Sequence, residues 1–220
     1  MLYHTFKLLS ETDLSIMVSE LMNCSDWVDG ATSAWGEAKE AKRNIQLSPG
    51  SDTYKDLNEK VCELIMSQKA LENSHIFPKK IVNTLFSRTS VGMSYGKHVD
   101  APHVAPGRRD FSFTLFLNDP REYEGGELIL DIHPVKQSVK LEAGFIFIYP
   151  TKYLHEVKEV TKGERRVCVG WIESYIKKDS EREMLTLIST AIAHVQNNDK
   201  NKIWKKERRE VYLWTLLQGL

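Results

Sequence analysis

The sequence predicts an α+β protein with a closed or two-sheeted β core and helices at both ends of the chain. Between residues 78 and 176, short runs rich in β-branched and aromatic residues alternate with Gly, Pro, Asp and Asn, as strands and turns do. Outside this region, apolar residues recur at helical spacing. Seven or eight short strands are typical of a barrel or a jelly roll.

The N-terminal part predicts two helices before the strand-rich region. Ser10, with Asp13 three residues later, caps a first helix that ends near Asn23. Residues 3–9 could pair as a strand, and 27–47 have a mixed pattern. The turn-forming segment SPGSD at 48–52 precedes a second helix over about 54–65.

Helical spacing returns after the strands. An apolar stripe begins after Ser180, and a further helix is expected around 204–217, after the polar segment QNNDKNK. We therefore expect three segments in one compact unit. Residues 1–77 pack on the core, 78–176 form the core and 177–220 form a C-terminal helical extension. The C-terminal stripe could also serve a homodimer.

Composition excludes several classes of protein. The 220 residues are 41% hydrophobic, which suits a globular core, and 30 basic residues balance 30 acidic ones. No overall charge attracts nucleic acid or a membrane, and no segment has the pattern of a signal peptide or a membrane span. Cys24, Cys62 and Cys168 are too dispersed for a disulfide framework or a thiolate zinc site. We expect a soluble cytoplasmic protein.

A metal site is suggested by YGKHVD at residues 95–100. In an extended segment His98 and Asp100 point to the same side. A His-x-Asp pair occurs often by chance, so the hypothesis depends on a third ligand. His155, just after the apolar run GFIFIYPTKYL, would complete a facial triad of the kind found in non-haem Fe(II) oxygenases. The same residues could hold a catalytic zinc or the metal of a cupin.

An arginine separates these alternatives. In RRVCVGWIES, Arg165 shares its face with Val167, Val169 and Trp171, whereas Arg166 lies on the other face. The first face is bulky and apolar, so Arg165 is expected to point inward. An inward guanidinium requires an anion, either a bound organic acid or a protein carboxylate such as Glu127 or Glu142.

Several blocks of sequence, in order, resemble the iron- and 2-oxoglutarate-dependent dioxygenases, specifically the PKHD-type (prolyl/lysyl hydroxylase domain) group. They are DGATSAWGEAKEAKRNIQL, YGKHVD, LFLNDPREYEGGELIL, SVKLEAGFIFIYPTKYLHEV and VTKGERRVCVGWIES. The resemblance covers nearly the whole chain. It implies a double-stranded β-helix (jelly-roll) core, with His98, Asp100 and His155 as Fe(II) ligands and Arg165 as the residue that binds 2-oxoglutarate.

The resemblance also implies a reaction. Such enzymes use O2 and 2-oxoglutarate to hydroxylate an unactivated C–H bond, with release of succinate and CO2, and ascorbate is the expected reductant. The substrate would be a prolyl or lysyl residue of a peptide, or a small molecule. One position departs from the family, because Thr89 stands where many relatives have tyrosine. Tyr95, Thr89 and Thr114 are further candidates for cosubstrate binding.

Two other functions stay open at this point. A cupin-like module would bind a metal or sugar without turnover and would not need Arg165. A zinc hydrolase would require a general base near the metal, for which Glu127 and Glu156 are candidates.

Overall fold

The computed structural model describes residues 3–34, 36–73 and 76–198. The helix expected around 204–217 lies outside these residues. The α-helices are α1 (Glu11–Asn23), α2 (Glu37–Glu40), α3 (Asp52–Met66), α4 (Lys69–Asn73) and α5 (Asp179–Asn198). The strands are β1 (His4–Lys7), β2 (Trp27–Asp29), β3 (Ile45–Leu47), β4 (Pro78–Ser90), β5 (Tyr95–His98), β6 (His103–Val104), β7 (Gly107–Arg108), β8 (Phe111–Phe116), β9 (Tyr123–Gly125), β10 (Leu128–Ile132), β11 (Val135–Val139), β12 (Phe145–Pro150), β13 (Leu154–Val157) and β14 (Val160–Ser174).

Two compact units divide the described chain, the larger within 3–67 and 80–173 and the smaller within 68–79 and 174–198. In the smaller unit, Ser174 Oγ donates to the Ile76 carbonyl at 2.7 Å, and the Tyr175 amide donates to the Phe77 carbonyl at 2.9 Å. The three-segment organisation expected from the sequence stays a prediction.

Two antiparallel sheets form the larger unit. One has the order β1-β12-β8-β14-β4-β3-β2, with β9 added beside β14, and the other has the order β11-β10-β13-β5. Apolar side chains from both sheets form the core between them, among them Phe116 and Phe147 from the first sheet and Leu130 and Val139 from the second. This arrangement confirms the predicted α+β class with a two-sheeted core.

The two predicted N-terminal helices form close to their predicted positions. The Ser10 hydroxyl accepts a hydrogen bond from the Asp13 amide at 3.0 Å and starts α1, and Ser51 caps α3 in the same way through the Tyr54 amide. α3 buries Leu57, Val61 and Ile65 along one face. The mixed region 27–47 contains β2, a 3₁₀ turn, α2 and β3, which the sequence did not resolve.

Residues 41–43 extend along one edge of β5. The Gly96 amide donates to the Ala41 carbonyl at 3.1 Å, and the Arg43 amide donates to the Ser94 carbonyl at 2.8 Å. A Cβ atom at Gly96 would lie 3.0 Å from the Ala41 Cβ, so glycine permits this close approach. The N-terminal region thereby reaches the strand that carries the predicted metal ligands. No helix in the described part of the chain is both long and apolar enough to cross a membrane.

Candidate metal centre

The two histidines of the predicted triad are direct partners across adjacent strands. In the β13–β5 pair, His155 lies opposite His98 in register, and their ring centroids are 4.2 Å apart. Cross-strand partners on one face of a sheet bring their side chains together. The pairing explains how residues 57 positions apart in sequence meet at one point.

Asp100 completes the group. Its Oδ1 is 3.6 Å from His98 Nε2, and its Oδ2 is 3.8 Å from His155 Nε2. One ligand atom from each of the three residues lies within 4.8 Å of the others. In the described part of the chain this is the one group of three or more His, Cys, Asp or Glu side chains with such spacing. The separations suit donors that share a single ion after small side-chain adjustments.

Backbone carbonyls fix the orientation of both imidazoles. His98 Nδ1 lies 2.7 Å from the Gly96 carbonyl, and His155 Nδ1 lies 2.9 Å from the Tyr153 carbonyl. A carbonyl can only accept, so Nδ1 carries the proton in each ring and Nε2 keeps its lone pair for a metal. Hydrogen bonds of this kind orient ligating histidines in metal sites.

Asp100 is held through one oxygen. Both Ser112 Oγ and Trp171 Nε1 donate to its Oδ2 at 2.8 Å, while Oδ1 faces His98. Burial acts to raise the pKa of this carboxyl, but His155, together with the Trp171 hydrogen bond, outweighs it and holds the pKa below its usual value. The carboxylate is therefore ionised at neutral pH, as a metal ligand must be.

His98 is held in the neutral form. Burial, with a further contribution from His155, lowers the pKa of His98 to about 4. Tyr95 stacks on its ring with centroids 3.6 Å apart and an interplanar angle of 19°. Burial and the Asp100 charge raise the pKa of Tyr95 to about 12, so this phenol stays protonated. Tyr95 therefore packs on a member of the triad and also lines the cavity, and its predicted contact with the cosubstrate stays a prediction.

A cavity of about 260 Å³ connects the triad with Arg165. The Arg165 side chain is 3% exposed and comes from β14, on the same face as Val167, Val169 and Trp171, all of which line the cavity. Burial lowers the pKa of its guanidinium, and nearby Tyr123 and Tyr149 oppose this effect. Arg166 lies on the other face, where it forms an ion pair with Glu122 at 2.6 Å.

The Arg165 guanidinium has no carboxylate partner in the described part of the chain. Its Nε is buried without a hydrogen bond, and the side chain packs against Gly126 and the Phe116 ring. Glu127, one of the two carboxylates considered as its partner, instead lies 3.9 Å from Lys140. An unpaired buried guanidinium beside a cavity is suited to a bound anion.

Thr89 and Thr114 both line the cavity and are buried. Ser112, which precedes Thr114 by two residues on β8, also faces inward, so the partly polar face of this strand belongs to the cavity and not to solvent. Leu128, Tyr149 and Val157 complete the apolar part of the wall. The proposed roles of the two threonines in cosubstrate binding stay predictions.

Three basic residues of the cavity, Lys42, Arg43 and Arg109, were not singled out from the sequence. Lys42, 7% exposed, donates to Ser33 Oγ at 2.7 Å and lies 5.2 Å from the centroid of the Tyr95 ring. The Arg109 guanidinium lies 3.6 Å from the centroid of the Trp171 ring. Lys42 lies within the block DGATSAWGEAKEAKRNIQL, but nothing in that block distinguishes it from the neighbouring basic residues, and Arg109 lies in the short segment between β7 and β8.

The carboxylates that a zinc hydrolase would need are directed elsewhere. Glu156 forms an ion pair with Lys158 at 2.9 Å, and neither Glu156 nor Glu127 lines the cavity. Among the described residues that line it, Asp100 is the one carboxylate. The cavity therefore lacks a second carboxylate to act as general base.

Comparisons with known proteins agree with this geometry. The model of the 2OG-Fe(II) oxygenase superfamily matches residues 84–173. A PKHD-type hydroxylase of Prochlorococcus marinus strain MIT 9301 is 41% identical over 185 residues, which cover 83% of each chain. Another, from strain NATL1A, is 42% identical over 184 residues and again 83% of each chain. The chain belongs to the PKHD-type hydroxylases of the 2OG-Fe(II) oxygenase superfamily.

Solved structures share the fold of this hydroxylase. A prolyl-4-hydroxylase of Pseudomonas putida is similar with a TM-score of 0.56 at 17% identity, covering 79% of this chain and 92% of that one. A prolyl hydroxylase of Trichoplax adhaerens, solved with a peptide fragment of hypoxia inducible factor, is similar with a TM-score of 0.58 at 15% identity, covering 84% and 86%. The core is thus the double-stranded β-helix of this superfamily.

The residues present fit the cofactors that the family uses, which are Fe(II), 2-oxoglutarate and O2. Two imidazole nitrogens and one carboxylate form the donor set of a facial triad, which leaves positions open on the metal. The Arg165 guanidinium, whose Nε is buried without a hydrogen bond, fits the far carboxylate of 2-oxoglutarate. Tyr149 lines the same cavity, and its ring lies 5.4 Å from the His155 ring, centroid to centroid.

Proposed function

We propose that this hydroxylase binds Fe(II) through His98, Asp100 and His155, and binds 2-oxoglutarate with its far carboxylate on Arg165. The observation that carries the proposal is the single cavity that holds both the three metal donors and a buried arginine without a protein carboxylate. A cupin-like binding module gives no reason to keep that arginine unpaired, because an unsatisfied buried charge is costly.

When bound, iron with 2-oxoglutarate and O2 would supply the oxidising chemistry that hydroxylates an unactivated C–H bond, with release of succinate and CO2. The chain's own residues position and protect this chemistry. Trp171 and Ser112 hold Asp100 through Oδ2, and backbone carbonyls hold both imidazoles with Nε2 directed at the metal.

The cavity wall separates the reacting groups from water. Val167 and Val169 of β14 lie between Arg165 and Trp171, and Leu128 and Val157 of the facing sheet line the same space. Apolar walls of this kind exclude solvent from a reactive centre. The anion of the cosubstrate would therefore meet a guanidinium that is buried beside apolar side chains, where its interaction with Arg165 is stronger than in water.

The proposed substrate is a prolyl or lysyl residue of a peptide, or a small molecule. The name of the PKHD-type relatives supports the first two, and the small cavity suits the last as well as a single side chain. Ascorbate is included as the reductant that would return oxidised metal to Fe(II).

The test is spectroscopic and chemical. Anaerobic protein with Fe(II) and 2-oxoglutarate should develop the weak visible charge-transfer band of the chelate, and admission of air should produce succinate in a 2-oxoglutarate-dependent manner. His155→Ala should lose the band because one of three metal donors is gone. His133→Ala, an exposed histidine in the turn between β10 and β11, is the matched control and should keep it. Wild-type protein with neither band nor succinate would refute the proposal.

A further inference from the structure

Two basic side chains lie at the end of the cavity that holds the triad. Lys42 and Arg109 both line the cavity, and each interacts electrostatically with Asp100. Neither forms an ion pair with a carboxylate within the described ranges of the chain. The Nε of Arg109 is buried without a hydrogen bond. Two cations thus lie at the triad end of the cavity without an ion pair to a carboxylate in the described part of the chain.

Cofactor binding does not neutralise these two groups. Fe(II) and 2-oxoglutarate carry opposite formal charges of equal size, so together they leave the charge of the cavity unchanged. Four basic residues then line the cavity, and the one carboxylate among the described lining residues is Asp100, which would bind the metal. The basic residues are Lys42, Arg43, Arg109 and Arg165. Groups of one sign in an enclosed site attract ligands of the opposite sign.

The cosubstrate anion assigned to Arg165 lies at the other end of the site. Arg165 and Trp171 are six residues apart on β14, which separates their Cα atoms by roughly 20 Å. Arg109 lies against the Trp171 ring, and Lys42 lies over Tyr95, which stacks on the metal ligand His98. Arg165 is therefore available for the cosubstrate anion at one end of the cavity, and Lys42 and Arg109 are available for a different anion at the other end.

We propose that Lys42 and Arg109 bind a carboxylate of the substrate and so position the C–H bond to be hydroxylated beside the metal. The inference rests on the proposed function. Arg109 offers the planar donor array that suits a carboxylate, with its orientation fixed by stacking on Trp171. Lys42 is oriented by its hydrogen bond to Ser33 and by the pairing of residues 41–43 with β5. The substrate is an acid, either a free small molecule or a peptide with an acidic group near the hydroxylated residue.

The experiment compares acids with their uncharged amides. Fe(II) protein with 2-oxoglutarate is supplied in air with aspartate or asparagine, glutamate or glutamine, and two random peptide libraries of equal length. Both libraries contain proline and lysine, one with Asp and Glu and the other with Asn and Gln. Stimulated succinate release is measured. The acidic member of at least one pair should stimulate at concentrations where its amide does not, and the pair identifies a free acid or a peptide as the source.

Substitutions at Lys42 and Arg109 test whether these side chains cause the preference for the acid over the amide. Lys42→Met and Arg109→Met should each raise the half-saturating concentration of the acid roughly tenfold or more, and should reduce the preference for acid over amide. Lys136→Met, the same change at an exposed residue of β11, should keep both. A purely structural role of either residue would weaken the response to acid and amide alike.

Two results would overturn the inference. One is an equal response to acid and amide in every pair, including no response to either. The other is an acid preference that survives in both cavity variants. In either case a normal charge-transfer band and 2-oxoglutarate-dependent succinate release in the wild type would leave the proposed function standing. Loss of both signals in the wild type would instead refute the proposed function itself.

Discussion

The indole of Trp171 joins two parts of the cavity. Its Nε1 donates to Asp100, and its ring lies against the Arg109 guanidinium. Since Ser112 donates to the same carboxylate oxygen, Asp100 is oriented by two side chains from neighbouring strands that pair at Trp171 and Ser112. The position of this proposed metal ligand is thus determined by residues outside the triad.

Trp171→Phe tests this arrangement, because it removes the indole donor and keeps an aromatic ring beneath Arg109. We expect the affinity for Mn(II) to fall by about 10- to 100-fold, the usual effect of losing a hydrogen bond to a metal ligand. Titration calorimetry measures it. Trp27→Phe is the matched control, since Trp27 Nε1 donates to the Cys24 carbonyl outside the cavity. Equal losses of affinity in the two variants would contradict the role given to Trp171.

Lys42 shows the cost of placing a charge in the cavity. Burial lowers the pKa of Lys42 from 10.5 to about 8. Below pH 8 both the folded and the unfolded protein carry the charge, and the folded state bears the full desolvation penalty. Between pH 8 and 10.5 the unfolded chain binds more protons than the folded one, so the penalty diminishes as the pH rises.

Lys42→Met should therefore stabilise the protein. We expect the free energy of unfolding at pH 7 to rise by about 2 kcal/mol, which is the desolvation penalty less the lost hydrogen bond to Ser33. Urea denaturation across a pH series measures it, and the gain should shrink above pH 8. Lys136→Met should change stability little at any pH. A less stable Lys42→Met protein, or a gain that grows with pH, would contradict the explanation.

At the scale of elements, β14 determines which of two adjacent arginines faces the cavity. Arg165 lies inside with Val167, Val169 and Trp171, and Arg166 lies outside with Glu122. The bulky apolar alternation of this strand is visible in the sequence, and so the inward position of Arg165 could be inferred from it. The absence of a carboxylate partner among the described residues could not be inferred, because it depends on where the connecting segments place Glu127 and Glu142.

Arg165→Ala should raise the 2-oxoglutarate concentration for half-maximal succinate release by about 30-fold or more, since a buried charged contact is lost. Arg166→Ala removes the ion pair with Glu122, which is half exposed, and should leave this concentration unchanged. Steady-state succinate assays at a series of 2-oxoglutarate concentrations provide the comparison. If Arg166→Ala gave the larger change, the assignment of faces on β14 would be wrong.

At the scale of the whole molecule, features that depend on neighbouring residues could be predicted from the sequence, and features that depend on long-range strand pairing could not. The cap of α1 and the strand runs follow from neighbouring residues, so Ser10 and most of the strands between 78 and 176 could be predicted, whereas Ser51 was placed only in a turn-forming segment. His98 and Asp100 suggested the triad from their spacing. The position of the third member, His155, depends on the register in which β13 pairs with β5, and local sequence does not give that register. Lys42 could not be predicted, because its position in the cavity depends on the pairing of residues 41–43 with β5. Ala41 and Tyr95, the first residues of these two segments, are 54 positions apart in the sequence.

That long-range assembly links metal binding to folding. The triad exists only when β5 and β13 are paired, so an ion that binds it stabilises the folded state and not the unfolded chain. Mn(II) at a hundredfold excess over its dissociation constant should add about 2.7 kcal/mol to the free energy of unfolding. This corresponds to a rise in Tm of about 5–10 °C for a protein of this size, measured by scanning calorimetry.

The same measurement separates the two ligand sites. 2-Oxoglutarate should raise the Tm further when Mn(II) is present and have little effect without it, because its chelating end requires the ion. His155→Ala should lose both increments, whereas Arg165→Ala should keep the Mn(II) increment and lose most of the second. An equal Mn(II) response in wild-type and His155→Ala protein would mean that the ion stabilises the fold from somewhere other than the paired strands β5 and β13.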